Sequence, residues 1–294
     1  MELGGGGNKL RKLEFLLGQA KAEGCDTLVV TGGVQSNFAR LAAAACARTG
    51  LACELVLAQM VPRTTDIYRA NGNVLLDRLF GASFHILDPG EDTGAYAKRR
   101  VDEIAETGGR ALLAPLGGST TTGCLGYVDC AFELARQSDE MGVAFDQIII
   151  PNGSGGMHAG LAAGLVLAGS HPSRIAAYTV LSPEDKCLSA TAEKVNAVLE
   201  RLGSDARVPE DDLRISEAQL GEGYGMPTSS MIDAVELLAR SEGLLVDPVY
   251  GGKALAGLLS DIENGAVAPQ SNVLFIMTGG SPGLYAYADV LTSK

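Results

Sequence analysis

The chain contains no tryptophan, only three histidines, and six cysteines that never fall in a CxxC pair. The histidines (His85, His158, His171) offer no pair at metal-ligand spacing, so no metal is expected. Cys25, Cys46, Cys53, Cys124, Cys130 and Cys187 sit largely among apolar residues. They read as buried reduced thiols and point to a cytoplasmic protein rather than a disulfide framework. Positive charge is scarce too. Lys and Arg number 23 against 35 Asp and Glu, a net charge of -12. That leaves no basic surplus to neutralise a phosphate backbone and excludes nucleic acid as a partner. No long uninterrupted apolar run and no leader pattern is present, so neither membrane crossing nor secretion is expected. No GxSxG elbow stands on a strand and helix with acid and histidine partners, which leaves a hydrolase triad unsupported.

Glycine, by contrast, is abundant at 38 of 294 residues, and hydrophobic content is 46%. The length suits one large or two ordinary domains. Strand-type runs at 27–31, 51–58, 83–87 and 111–115 alternate with helical stretches at 38–49, 66–80, 93–107 and 124–137. The alternation restarts with strands at 147–151, 174–181 and 272–277 and helices at 157–168, 190–201 and 229–241. Such alternation predicts right-handed βαβ units and an α/β fold of two open, mostly parallel sheets with flanking helices. The expected division is a small domain over 21–128 and a large one from 1–20 plus 129–294. Ligands in such sheets bind beyond the carboxyl ends of the strands, which singles out the loops 32–37, 117–123, 153–156 and 278–282.

Gln147–Gly160 (QIIIPNGSGGMHAG) runs strand, glycine loop, helix start. Free amides there suit a phosphate, aided by the helix dipole. The dinucleotide fingerprint fails because His158 stands where its third glycine belongs, and no GK[ST] completes a Walker loop. The alternative is a tight turn with no ligand. The loop Gly32–Asn37 reads either as a plain N-cap by Ser36 or Asn37 or as a carboxylate cradle. Gly117–Gly123 is either a capping segment or a substrate lid. Tyr224 and Tyr250 stand in glycine- or proline-flanked turns, where tyrosine is normally a packing residue and a poor base unless a cation lies nearby. At the front, Gly4–Gly7 delivers Asn8 and Lys9 to an amphipathic helix. A lysine held and desolvated there could act as nucleophile or base; otherwise it is a solvated terminal residue.

Eight stretches in order, GGNKLRKLE, GGVQSN, NGNVLLD, LGYVDCAFEL, GSGGMHAGL, GEGYGMP, DPVYGGKA and TGGSPGL, give the whole chain a resemblance to a known family. It resembles the fold-type II, pyridoxal-phosphate-dependent D-cysteine desulfhydrases, L-cysteate sulfo-lyases and 1-aminocyclopropane-1-carboxylate deaminases, whose fold is tryptophan-synthase-β-like. The stretch before the lysine is short against the family pattern. The resemblance implies that Lys9 holds pyridoxal 5'-phosphate covalently, with Asn8 beside it. It places Asn37 at the cofactor's ring oxygen, Gly153, Ser154, Gly155 and Gly156 at its phosphate, and Thr278 at its pyridine nitrogen. Gln35, Ser36, Asn37 and Ser119 fall to the amino-acid substrate. Lys9, Ser36, Tyr224 and Tyr250 are the implied catalytic set. Met157 replaces a polar residue that usually follows the phosphate loop. Gly251 stands where the cyclopropane deaminases carry glutamate, which argues against ring opening and implies extra pocket volume. The implied reaction is β-elimination from D-cysteine or L-cysteate to pyruvate, ammonia and sulfide or sulfite, by a homodimer. The alternatives are the cyclopropane deaminase, a serine or threonine dehydratase, and a non-catalytic cofactor-binding protein.

Overall fold

The computed structural model describes residues 2–291. The chain divides into two compact units, one running to Gly123 and resuming at Gly280, the other Cys124–Gly279.

The first unit is built on a parallel four-stranded sheet of order β3-β2-β1-β4. Its strands are β1 (Thr27–Gly33), β2 (Ala52–Ala58), β3 (Ser83–Leu87) and β4 (Ala111–Ala114). Side chains alternate across a strand, and the packing follows that alternation. Leu28, Val30, Leu55 and Leu57 face helices α1 (Lys9–Ala22) and α2 (Asn37–Thr49), meeting Leu10, Leu13, Leu16, Phe38 and Leu41. Val29 and Val56 face the opposite way, onto Ala97, Val101 and Ile104 of α5 (Thr93–Glu106). The opening helix therefore belongs to the first unit, because its leucines complete that core. The expectation that residues 1–20 join the other unit differs from this arrangement. Between β2 and β3 the expected single helix 66–80 is two, α3 (Asp66–Ala70) and α4 (Asn73–Leu79). Gly72 breaks it with a φ of +62°, and a Cβ there would lie 2.8 Å from Gln35 Oε1 and from the Pro282 carbonyl. Only glycine meets both demands.

The second unit carries a parallel sheet of order β7-β6-β5-β8. Its strands are β5 (Gln147–Asn152), β6 (Ile175–Thr179), β7 (Arg214–Ser216) and β8 (Val273–Phe275). Ile148, Ile150, Ile175 and Ala177 pack under α6 (Thr121–Met141), α7 (Gly156–Leu167) and α8 (Glu184–Arg201). Helices α9 (Ser229–Glu242) and α10 (Gly251–Glu263) pack on each other, and α10 lies on β5 and β6. Tyr178 on β6 donates its hydroxyl to Asp261 at 2.6 Å, and a Cβ at Gly257 would strike its ring at 2.2 Å. The edge beside β6 is the three-residue β7. The helix α10 escapes sequence reading because it opens with two glycines, the worst helix formers after proline.

Candidate active site

In the first unit Lys9 is the first residue of α1, half-buried, and Asn8 is its N-cap without a side-chain capping bond. One turn on, Lys12 is fully buried, and its Nζ donates to the Gly117 carbonyl at 3.0 Å and Ser119 Oγ at 2.8 Å. A buried ammonium needs such fixed acceptors. Gly118 lets this loop approach the core, since a Cβ there would meet the Phe38 ring at 2.6 Å. The loop after β1 presents the other three residues of interest. Ser36 caps α2, its Oγ accepting from Ala39 N–H at 3.1 Å. Gln35 is buried; its Nε2 donates to the carbonyls of Tyr68 (2.6 Å) and Asn71 (2.8 Å), and its Oε1 accepts from Asn73 N–H (2.9 Å). Asn73 Nδ2 in turn donates to Asn37 Oδ1 at 3.1 Å and to the Gln35 carbonyl at 3.0 Å. With its oxygen engaged, Asn37 keeps its NH2 as the group able to meet an acceptor. Sequence reasoning missed Asn73 and Lys12 as supports; the polar Asn73 in the NGN stretch and a lysine on the apolar face of α1 were the available signals.

In the second unit β5 ends in the loop Gly153–Gly156, which leads into α7. Gly155 takes φ +80°, and no side chain caps the helix, so the capping role is left to a ligand or solvent. A Cβ at Gly153 would lie 3.0 Å from the Tyr250 ring, and one at Gly155 3.1 Å from Thr191 Oγ1. Ser154 stands between them, half-buried. Beneath the loop, Asn152 Nδ2 donates to Thr191 Oγ1 at 3.2 Å and pairs with His158 Nδ1 at 3.3 Å. Burial lowers His158 to about 4, so the ring is neutral. Thr278, after β8, is buried, and its Oγ1 has no hydrogen-bond partner among the described residues. A buried hydroxyl without a partner is costly unless a ligand satisfies it.

The two tyrosines meet. Tyr224 and Tyr250 share a hydrogen bond at 2.8 Å between hydroxyls, with ring centroids 6.0 Å apart. Tyr250 is the N-cap of α10, but Asp247 does the capping: its carboxylate accepts from the N–H groups of Val249, Tyr250 and Gly251 at 3.2, 3.1 and 2.8 Å. Lys253, one turn later and fully buried, donates from Nζ to the carbonyls of Leu220 (2.7 Å) and Gly223 (3.3 Å). It thereby pins the loop that carries Tyr224, and burial lowers it to about 8. Gly251 opens no pocket: a Cβ there would meet Val246 Cβ at 2.9 Å. The extra volume implied by that glycine is thus filled by Val246.

These features fit a phosphorylated pyridine cofactor. The glycine loop offers uncapped amides to a dianion, and Thr278 offers an unsatisfied hydroxyl to a ring nitrogen. Lys9 supplies a primary amine in the first unit. Among the described residues no group of three His, Cys, Asp or Glu could hold a metal ion, and no helix is long and apolar enough to cross a membrane.

Comparison with known proteins agrees with this chemistry. The model of the family described as pyridoxal-phosphate dependent enzyme matches residues 2–279. A D-cysteine desulfhydrase of Serratia proteamaculans (strain 568) is 37% identical over 291 residues, covering 96% of this chain and 84% of the relative. One from Salmonella schwarzengrund (strain CVM19633) is 39% identical over the same spans. Among solved structures, an ACC deaminase homologue superposes with a TM-score of 0.86 at 33% identity, covering 98% of this chain and 84% of that one. O-ureido-L-serine synthase shares the fold, with a TM-score of 0.61 at 19% identity. The chain therefore belongs to the pyridoxal-phosphate-dependent enzymes, in their fold-type II branch.

Proposed function

We propose that the protein is a carbon–sulfur lyase that removes the β-substituent of D-cysteine, with water completing the conversion to pyruvate, ammonia and sulfide. The observation that carries this reading is the similarity to D-cysteine desulfhydrases, 37–39% identical over 96% of the chain. Lys9 holds the cofactor, with Asn8 and the Asn37 NH2 beside it, the amides of Gly153, Ser154, Gly155 and Gly156 on its phosphate, and Thr278 at its ring nitrogen. Bound, pyridoxal phosphate supplies an electron sink for charge developing at the substrate's Cα. Gln35, Ser36, Asn37 and Ser119 hold the substrate carboxylate, which fixes Cα before its base. Lys9 Nζ or the Tyr250 hydroxyl takes the Cα proton. Tyr224, whose hydroxyl meets that of Tyr250 at 2.8 Å, returns a proton to the departing sulfur in this reading. The enzyme works as a homodimer in the cytoplasm, a compartment in keeping with six buried cysteines that form no disulfide.

L-Cysteate, losing sulfite, is the second substrate of this reading; the GEGYG-x-PT and NGNVLLD stretches favour it. Opening of 1-aminocyclopropane-1-carboxylate is supported by the likeness to the ACC deaminase homologue. Against it stands Gly251, where any side chain would displace Val246.

The test has two parts. Purified protein is expected to show the visible absorbance of lysine-bound cofactor, and Lys9→Ala to lose it. A panel of D-cysteine, L-cysteine, L-cysteate and the cyclopropane acid is expected to yield pyruvate and sulfide from D-cysteine. Release of 2-oxobutyrate from the cyclopropane acid as the main activity would replace this reading with the deaminase. Bound cofactor with no turnover of any of the four would leave a non-catalytic binding protein.

A further inference from the structure

Arg40 lies in the first turns of α2 and is fully buried. A guanidinium keeps its charge under all working conditions, so its burial has to be offset by fixed acceptors. The glycine run supplies them: Arg40 Nη1 donates to the carbonyl of Gly4 and, at 3.0 Å, to that of Gly6. That run is unusual backbone. Gly4, Gly5, Gly6 and Gly7 all have positive φ, at 60°, 80°, 71° and 133°. Glycine visits both signs of φ about equally, so four in a row do not select this path by themselves. Besides a β-bridge at Gly7, the backbone bonds within this segment are Gly5 N–H to the Glu2 carbonyl at 3.1 Å, Gly6 to Leu3 at 3.0 Å, and Leu10 to Gly7 at 3.3 Å. Gly4 also sits on α2, where a Cβ would meet Ala44 at 2.6 Å. Asp77 of α4 is also buried; burial pushes its carboxyl up to about 8, with Arg40 pulling it back, and its oxygens accept no hydrogen bond among the described residues. The Nη1 donor of Arg40 is thus spent on the glycine run.

We propose that Arg40, on the helix α2 that also carries Asn37, is a positioning residue that clamps Gly4–Gly7 and so fixes how α1 presents Lys9. The functional meaning rests on Lys9 being the cofactor-holding lysine; the clamp itself does not. Two bonds from one cation to alternate carbonyls convert a permissive segment into a single path into α1. The reactive amine is then ordered before a cofactor arrives, which is the benefit of preorganisation.

The test uses the full chain. Hydrogen exchange is followed in wild type, Arg40→Met, Arg40→Lys and Cys46→Ala, the last a buried change further along α2. Capture of pyridoxal phosphate at Lys9 is followed separately by borohydride trapping and peptide mass. Arg40→Met is expected to speed exchange of Gly5, Gly6 and Leu10 at least tenfold and to slow capture at Lys9, with β1 and α2 still protected. Arg40→Lys, which keeps a cation for one carbonyl, is expected to restore part of both. Unchanged exchange over residues 4–10 in Arg40→Met overturns the clamp. So does a loss of protection spread through α2 and β1 as in Cys46→Ala, which would make Arg40 a core residue only. A Lys9→Ala protein that keeps its visible absorbance would overturn the role of Lys9 and leave the clamp standing.

Discussion

At the scale of single residues, the buried trio under the glycine loop of the second unit has the clearest pH consequence. Asn152 Nδ2 points at His158 Nδ1, so that nitrogen is the acceptor and Nε2 carries the proton. Nε2 finds no acceptor among the described residues. Protonating this ring would bury a charge with no counter-ion, hence the fall to about 4 from the ordinary 6.5. A depressed folded-state value means the unfolded chain binds the proton more readily, so stability is full above pH 6.5 and is lost as pH falls toward 4. At about 1.4 kcal/mol per unit the loss amounts to roughly 3 kcal/mol. His158→Gln is expected to remove that acid limb. Denaturant unfolding of both proteins from pH 7 to pH 4 checks it: the stability advantage of wild type should shrink as the pH falls. An advantage that stays constant across the range would show that His158 is not titrating there. Sequence gave the position of His158, early in a helix, but not its burial or partners. Its partner is Asn152 at the end of β5, which also donates to Thr191 in α8.

At the scale of elements, glycine has opposite meanings in two helices. In α7, a Cβ at Gly160 would lie 2.3 Å from the Cys124 carbonyl and 2.5 Å from Tyr127 Cβ, and one at Gly164 2.5 Å from Ala131 Cβ. The backbones of α6 and α7 are in near contact at these points, and a carbonyl cannot swing aside as a flexible side chain can. In α1, Gly18 is exposed and has nothing within 4 Å of a Cβ. Gly160→Ala is expected to destabilise by ~1–3 kcal/mol as overpacking, despite its better helix propensity. Gly18→Ala is expected to stabilise by ~0.5–1 kcal/mol, since propensity is then the only term. Equal effects of the two substitutions in urea unfolding would contradict the close packing of α6 and α7. The elements themselves were largely legible, because hydrophobic runs and turn residues mark each βαβ unit. What escaped were features set by long-range contact. The three-residue β7 has too little pattern to read. The helix break at Gly72 follows from Gln35 and Pro282, distant in sequence. The site residues divide the same way. Loops after strands were readable, whereas the meeting of Tyr224 with Tyr250 and the anchoring by Asp247 and Lys253 required the fold.

At the scale of the whole molecule, the net charge of -12 sets a field that every substrate must enter. D-Cysteine is a zwitterion of no net charge at neutral pH, whereas L-cysteate carries an additional sulfonate and is a net monoanion. A protein this acidic repels an anion at long range, while local donors such as loop amides act only at contact. Salt screens the first and hardly touches the second: the Debye length falls from ~30 Å at 0.01 M to ~8 Å at 0.15 M ionic strength. Raising the ionic strength over that range is therefore expected to increase kcat/KM for L-cysteate severalfold more than for D-cysteine, with kcat unchanged for both, because encounter is affected and bound chemistry is not. Steady-state kinetics with both substrates in sodium chloride measures it, and the ratio of the two kcat/KM values cancels general salt effects on the protein. A ratio independent of salt would mean that local positive potential at the mouth of the site outweighs the global charge. A ratio moving the opposite way would mean that the acidic residues lie on the faces remote from it, with basic groups steering anions in.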